Sequence, residues 1–170
     1  MHYSGNHARS SPAFWSGIVS TGDRGELYFA AINILPAGQI KRYPVSTSCS
    51  TPPICSPVAS TNVDPAGTGL GYAATPSVSS NPSYQNGIVW AIKNDDRHTD
   101  PALFAFDAGS LTELWDSKQC VDITGIPRDQ PGVTTHFSVP TIANGFVYIG
   151  TLTDFDIYGV VPSRTCSPAQ

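Results

Sequence analysis

The chain has 170 residues, of which 15 are glycine, 15 are proline and only 13% are charged, and its net charge is −4. This balance argues against a nucleic-acid partner, because the nine Lys and Arg residues form no cluster. No apolar run is long enough to span a membrane as a helix, and no window has sustained helical periodicity. The composition therefore favours an all-β protein without a membrane span.

Short apolar runs recur at a fixed interval along the chain. Three prolines are separated by 64 residues each time (76 − 12 and 140 − 76), and each opens a short strand of small residues. A glycine then opens a strongly apolar strand. Self-similarity over tens of residues predicts a repeat architecture. The three copies are marked by Pro12 with Gly25–Phe29, Pro76 with Gly87–Ala91, and Pro140 with Gly145–Ile149.

The second copy is the fullest and predicts what each unit contains. After Gly87–Ile92 and a charged loop, the runs Ala102–Asp107 and Leu111–Trp115 are joined by a short turn. Such runs, split by Gly, Asp and Ser, indicate an antiparallel meander of about four strands, which is one propeller blade. The predicted fold is a partial β-propeller of about three four-stranded antiparallel blades with long loops.

The chain is predicted to be a single partial propeller. Three blades are too few to close a ring, because closed propellers have about four to eight blades. The missing blades would lie on a longer chain or on another copy of this chain; alternatively, the loops fold over and cap the fragment. The predicted segments are a blade at 7–45, a Ser/Pro/Cys-rich loop at 46–70, a blade at 71–118, a loop at 119–136, a terminal blade at 137–162 and a tail at 163–170.

Residues 105–115 resemble the tryptophan-docking motif of quinoprotein-type β-propellers, A-x-D-x-x-T-G-x-x-x-W. Ala105, Asp107 and Trp115 match this motif, Ser110 replaces its Thr, and Leu111 stands where the family has glycine. A positive φ at Leu111 would therefore carry a cost. Residues 137–151 resemble the last blade of such proteins.

The resemblance implies that the chain supplies C-terminal blades and that the three matching residues have a structural docking role. The indole of Trp115 would pack on the next blade, and Asp107 would accept hydrogen bonds from turn amides. The favoured function is a non-catalytic propeller segment that acts as a binding or assembly scaffold, the C-terminal part of a larger exported quinoprotein-like propeller. Its partners would be the missing blades or another copy of the chain.

The alternative implied by the resemblance is part of a dehydrogenase that oxidises alcohols or sugars with pyrroloquinoline quinone and calcium. That cofactor would lie along the central channel. The sequence has no nucleophile elbow, phosphate loop or zinc-protease motif, so no catalytic residue, metal ligand or cofactor is predicted outside this alternative.

Two histidines are the candidate channel-face residues. His136 precedes the first strand of the third copy, and His7 occupies the matching place before the first copy. In a propeller both would face the channel, whereas in the simpler interpretation each is a solvated loop residue.

Four cysteines without a C-x-x-C pair favour disulfides over a zinc site. A bridge between Cys49 and Cys55 is favoured over free thiols, and a bridge between Cys120 and Cys166 is left open. Disulfides would place the protein outside the cytoplasm, in the periplasm or secreted. The first residues have no signal-peptide pattern, so an export signal is expected upstream of this sequence.

Overall fold

The structure is a computed structural model that describes residues 10–17, 23–30, 38–50, 52–63, 73–81, 83, 86–93, 100–135, 137–160 and 167–168. These residues are all-β and contain no helix. They form three sheets of three or four antiparallel strands and a separate two-stranded pair, and no sheet within the described residues closes on itself. The described residues also contain no helix that is long and apolar enough to cross a membrane.

The first sheet has four strands in chain order: β1 (Ala13–Trp15), β2 (Asp23–Ala30), β3 (Ile40–Ser46) and β4 (Ala59–Ser60). The interval 46–70, which was predicted to be a loop, therefore contains β4. That prediction was incomplete because a two-residue strand is too short to show the period-2 alternation by which strands are recognised.

The second sheet also has four strands in chain order: β5 (Ser77–Ser79), β6 (Ile88–Ile92), β7 (Leu103–Asp107) and β8 (Glu113–Asp116). Residues 103–106 of β7 are all buried. A strand buried on both faces is a continuous apolar run, which explains the run Leu-Phe-Ala-Phe.

The remaining strands are β9 (Cys120–Val121), β10 (Thr141–Ala143), β11 (Phe146–Gly150), β12 (Phe155–Tyr158) and β13 (Ser167–Pro168). The third sheet consists of β10, β11 and β12, so it has three strands and not the predicted four. The chain beyond β12 supplies β13, which pairs with β9 rather than adding to the third sheet. The predicted loop 119–136 and tail 163–170 thus each contribute one strand.

The three sheets place the marked prolines and glycines at the same positions. Each first strand begins one residue after its proline, and the residue three places after the proline pairs with the residue directly after the glycine. Residues at equal distances from these marks therefore occupy corresponding positions. The corresponding pairs are Trp15 with Glu26, Ser79 with Ile88, and Ala143 with Phe146.

The sheets pack face to face, with the second sheet in the middle. We call its contact with the first sheet the first interface and its contact with the third sheet the second interface. Alternate residues of its strands point to opposite faces, so Val89 and Phe106 join the apolar cluster of the first interface. Ile92 and Leu103 join Val147 and Ile149 in the second interface. Each such buried side chain contributes about 1.5–3 kcal/mol of apolar burial.

The first strands of the three sheets lie side by side along one edge of the stack, with β5 between β1 and β10. Two hydrogen bonds fix their spacing. The Ser10 hydroxyl donates to the Ala74 carbonyl over 3.0 Å, and the Ser77 hydroxyl donates to the Pro140 carbonyl.

The turn between β7 and β8 is closed by the Asp107 carboxylate. Its Oδ1 accepts hydrogen bonds from the Ser110 amide at 2.7 Å and the Ser110 hydroxyl at 2.8 Å. Leu111 adopts φ +59°, although only glycine takes this conformation without a penalty. Its side chain is fully buried in the first interface, and this burial offsets the strain.

Leu111→Gly should be more stable than Leu111→Ala by about 1 kcal/mol, the reverse of the usual order. Both variants lose the buried side chain, which costs about 2–5 kcal/mol for Leu→Ala. Only glycine also relieves the backbone strain. Urea unfolding of the two variants measures the difference, and an alanine variant at least as stable as the glycine variant would contradict a strained turn.

Asp100 links the residues that follow β6 and β8. Its carboxylate accepts from Lys93 Nζ at 2.7 Å and Lys118 Nζ at 2.9 Å. The hydrogen bond from Lys93 is the largest cause that holds the pKa of Asp100 below its usual value. The folded pKa lies below the unfolded one, so this stabilisation is present above pH about 4 and is lost as the pH falls through the folded pKa.

Asp100→Asn should therefore reduce the free energy of unfolding at neutral pH. The stability of this variant should also fall less steeply as the pH is lowered. The effect should be small because the carboxylate is partly exposed. Unfolding midpoints measured from pH 7 to pH 2 check this. A loss of stability toward low pH that is as steep as in the unchanged chain would refute it.

Candidate functional site

A cleft of about 1250 Å³ lies between the second and third sheets. Three aromatic side chains line it: Trp90 from β6, Trp115 from β8 and Tyr158 from β12. Each is partly exposed. The cluster formed by Ile92, Leu103, Val147 and Ile149 packs the same two sheets together. Hydrophilic residues that line the cleft include Ser79, Asn81, Asn86, Arg128, Gln130 and Asn144.

The cleft is present because a tryptophan of the first interface is a serine in the second. Trp15 is buried over Gly87 of the second sheet, where an added Cβ would lie 2.7 Å from the indole. The residue corresponding to Trp15 is Ser79, and Gly145 corresponds to Gly87. An added Cβ at Gly145 would meet nothing within 4 Å. The space that an indole fills in the first interface is thus open in the second.

A hydrogen bond across the first interface also differs from the bond made at the corresponding position in the second. The Tyr28 hydroxyl donates to the Ala108 carbonyl over 2.8 Å, from the first sheet to the second. Burial is the main cause that raises the pKa of Tyr28, so this hydroxyl stays a donor. Trp90 occupies the corresponding position in the second sheet. Its indole N–H donates instead to Ser79 Oγ of the same sheet, at 2.9 Å.

Of the three residues that match the docking motif, Trp115 lines the cleft. Ala105 is buried and pairs with Trp90 on one side and Trp115 on the other, so a small side chain separates two indoles on one face. Trp115 meets Tyr158 of the third sheet edge to face, with ring centroids 6.0 Å apart. Asp107 lies apart from the cleft, in the β7–β8 turn.

The segment 128–132 crosses the outer edge of the second interface. Gln130 Nε2 donates to the Pro101 carbonyl at 3.0 Å, next to the second sheet. The Tyr158 hydroxyl of the third sheet donates to the Asp129 carbonyl at 3.0 Å, and Asp156 accepts from the Gly132 amide at 3.0 Å. These bonds hold polar side chains at the rim of the cleft.

The cleft has a slightly negative charge. Among the described residues its charged lining is Arg128, Asp129 and Asp156, a sum of 1 − 2 = −1. Arg128 and Asp129 form an ion pair of 2.7 Å, and this bond raises the pKa of Arg128. Burial raises the pKa of Tyr158, as do the neighbouring carboxylates. The cleft therefore presents little free charge.

A second polar cluster lies at the first interface. Arg42 donates to Glu26 Oε1 over 3.1 Å. Three buried polar atoms have no hydrogen-bond partner among the described residues, namely Glu26 Oε2, Arg42 Nε and Trp15 Nε1. Burial is the main cause that raises the pKa of Glu26, against the opposing effect of Arg42. This cluster lies apart from the cleft, whose lining contains none of its three residues.

The structure places the predicted site residues as follows. Trp115 lines the cleft, Ala105 is buried between Trp90 and Trp115, and Asp107 lies in the turn described above. Cys49 and Cys55 are joined by a disulfide, with Cα atoms 5.5 Å apart. His7 and His136, the candidate channel-face residues, lie outside the described residues.

Cys120 is also disulfide-bonded, whereas Cys166 lies outside the described residues. The described part of the chain has no free cysteine and no group of three His, Cys, Asp or Glu side chains that could hold a metal ion.

Comparisons of the chain with protein-family models, curated proteins and solved structures found no match. The sequence interpretation did not identify Ser79 or Trp90 as cleft residues. Alignment of the copies at their prolines places Trp15 opposite Ser79, and this change in side-chain volume is the signal that could have drawn attention to Ser79.

Trp15→Ala should destabilise the chain by about 3–5 kcal/mol, because the indole is 5% exposed and fills the first interface. The neighbouring Phe14 is 55% exposed on the opposite face, so Phe14→Ala is the matched control and should cost less than about 1 kcal/mol. Urea unfolding compares them, and equal losses would mean that Trp15 does not support the interface.

Proposed function

We propose that the chain is a non-catalytic β-propeller segment that acts as a binding or assembly scaffold within a larger exported, quinoprotein-like propeller. The single observation that carries this proposal is the outer face of the third sheet, which we call the terminal face. It consists of Thr141, Ala143, Phe146, Tyr148, Phe155 and Ile157, which point away from the second sheet.

The terminal face is apolar and aromatic. Tyr148 lies between Phe146 and Phe155, with ring centroids 6.3 Å and 5.9 Å away. Phe155 is 64% exposed and Ile157 is 58% exposed. An exposed sheet face of this kind marks an interaction surface.

The terminal face also continues the packing of the first two sheets. Tyr28 and Trp90, at corresponding positions, each point toward the sheet that follows. Tyr148 occupies the third such position and points away from the second sheet. A further blade would cover it, supplied by the rest of a longer propeller or by another copy of the chain. The motif at 105–115 and the edge-to-face contact of Trp115 with Tyr158 support the quinoprotein-like character of the proposal.

The export part of the proposal is supported by the disulfides of Cys49, Cys55 and Cys120. Disulfides persist mainly in oxidising compartments. The dehydrogenase alternative requires a site for calcium and for a quinone that carries several carboxylates. The described residues do not fit this group, because they contain no set of three His, Cys, Asp or Glu side chains that could hold a metal ion, and the cleft between the second and third sheets is slightly negative.

Phe155→Lys should abolish association through the terminal face, because it places a charge in an apolar contact. Ile123→Lys is the matched control, since Ile123 is fully exposed outside that face. Light scattering and binding of the dye 1-anilinonaphthalene-8-sulfonate check this. A discrete oligomer that only Phe155→Lys disrupts supports another copy as the partner. A dye-binding monomer whose binding falls in that variant supports missing blades. A folded monomer that binds no dye refutes the scaffold proposal.

A further inference from the structure

We propose that the cleft between the second and third sheets binds a neutral oligosaccharide without chemical change. Of the six terminal-face residues, the cleft is lined only by Ala143 and Ile157. Phe155, which is changed to test the scaffold proposal, does not line the cleft, so the failures of the two proposals are separable. The shape of the cleft, its aromatic walls, its polar rim and its charge all suit such a ligand.

The cleft results from the side chains of the second interface and not from sheet stacking in general. The first interface has the same strand register and is filled by Trp15 and Tyr28. In the second interface Ser79 replaces the first of these side chains. The wall on the third sheet is also open. Val160, which lines the cleft there, is 92% exposed, whereas Ala108, at the corresponding place in the first interface, is completely buried. The volume of about 1250 Å³ exceeds the range of about 300–1,000 Å³ that is usual for small-ligand sites, and it accommodates an extended chain of sugars.

The aromatic walls suit the apolar faces of sugar rings. Trp90, Trp115 and Tyr158 all line the cleft and keep part of their surface exposed. The carbon-bound hydrogens of a pyranose face carry a small positive charge, and they pack on the negative face of an aromatic ring. Because Trp115 meets Tyr158 by an edge-to-face contact, the two rings offer surfaces in different planes.

The rim suits hydroxyl groups. Asn81, Asn86, Asn144 and Gln130 supply planar amides, which both donate and accept hydrogen bonds, and Arg128 supplies a planar donor. Adjacent ring hydroxyls match such paired groups. The segment 128–132 is held to both sheets, so its side chains are positioned before a ligand arrives.

The charge selects among ligands with this shape. The three charged lining residues sum to −1, and Arg128 is already paired with Asp129. A nucleotide, a uronic-acid polymer or a quinone that carries several carboxylates would meet an unfavourable charge. A neutral polymer of sugars would not.

The test is a titration of the full chain with cellohexaose, maltohexaose, xylohexaose and chitohexaose. Tryptophan fluorescence and calorimetry measure the binding. We expect saturable binding of at least one of them and weaker binding of hexagalacturonate. Trp115→Ala should weaken binding about tenfold, the equivalent of one lost stacking contact. Leu114→Ala, on the exposed neighbour of Trp115, should bind like the unchanged chain.

Ser79→Trp is the decisive variant, because it places in the second interface the indole that fills the first. It keeps the side chains of Trp90, Trp115 and Tyr158, although it removes the hydrogen bond that Ser79 accepts from Trp90. It should abolish binding while the unfolding midpoint stays the same or rises. Circular dichroism confirms that each variant is folded. Absence of saturable binding to all four oligosaccharides, tighter binding of hexagalacturonate, or unchanged binding by a folded Ser79→Trp variant would each overturn the proposal.

Discussion

Packing of the second sheet on both of its faces is the constraint on which the rest of this structure depends. A sheet buried on both sides needs apolar residues at successive positions, and the run Leu103–Phe106 provides them. One face holds the first sheet through Trp15, Tyr28 and Phe106. The other holds the third sheet through a smaller cluster that includes Leu103 and Ile149. Neither outer sheet has a second apolar partner among the described residues, so their burial depends on the middle one.

The two interfaces show how one strand register supports different properties. The backbones place Trp15 and Ser79 at corresponding positions, and the difference between an indole and a hydroxymethyl group decides whether the sheets close. The filled interface contributes more buried apolar area, and the open one provides a surface for binding. Tyr28 and Trp90 differ in the same way. The Tyr28 hydroxyl donates across the first interface, whereas the Trp90 N–H donates to Ser79 within its own sheet.

In the turn between β7 and β8, side-chain burial outweighs a local backbone preference. Asp107 and Ser110 close the turn by short hydrogen bonds that their sequence spacing favours. Leu111 is a poor residue for a positive φ, yet its side chain is fully buried among the residues of the first interface. The apolar contact thus outweighs a backbone preference that glycine would satisfy, which is consistent with the larger free energy of burying a leucine side chain.

The amino-acid sequence by itself determined the all-β class and the placement of the strands that follow Pro12, Pro76 and Pro140. These depend on local rules: period-2 alternation, turn residues and glycine at strand starts. Short strands such as β4 and β9 escaped prediction because two residues carry no alternation. Only the tertiary structure decided that Ser79 faces an open cleft and that the terminal face points away from the second sheet. Which faces meet depends on how whole sheets stack, so the change from Trp15 to Ser79 is visible in the sequence, whereas the open volume beside Ser79 is not.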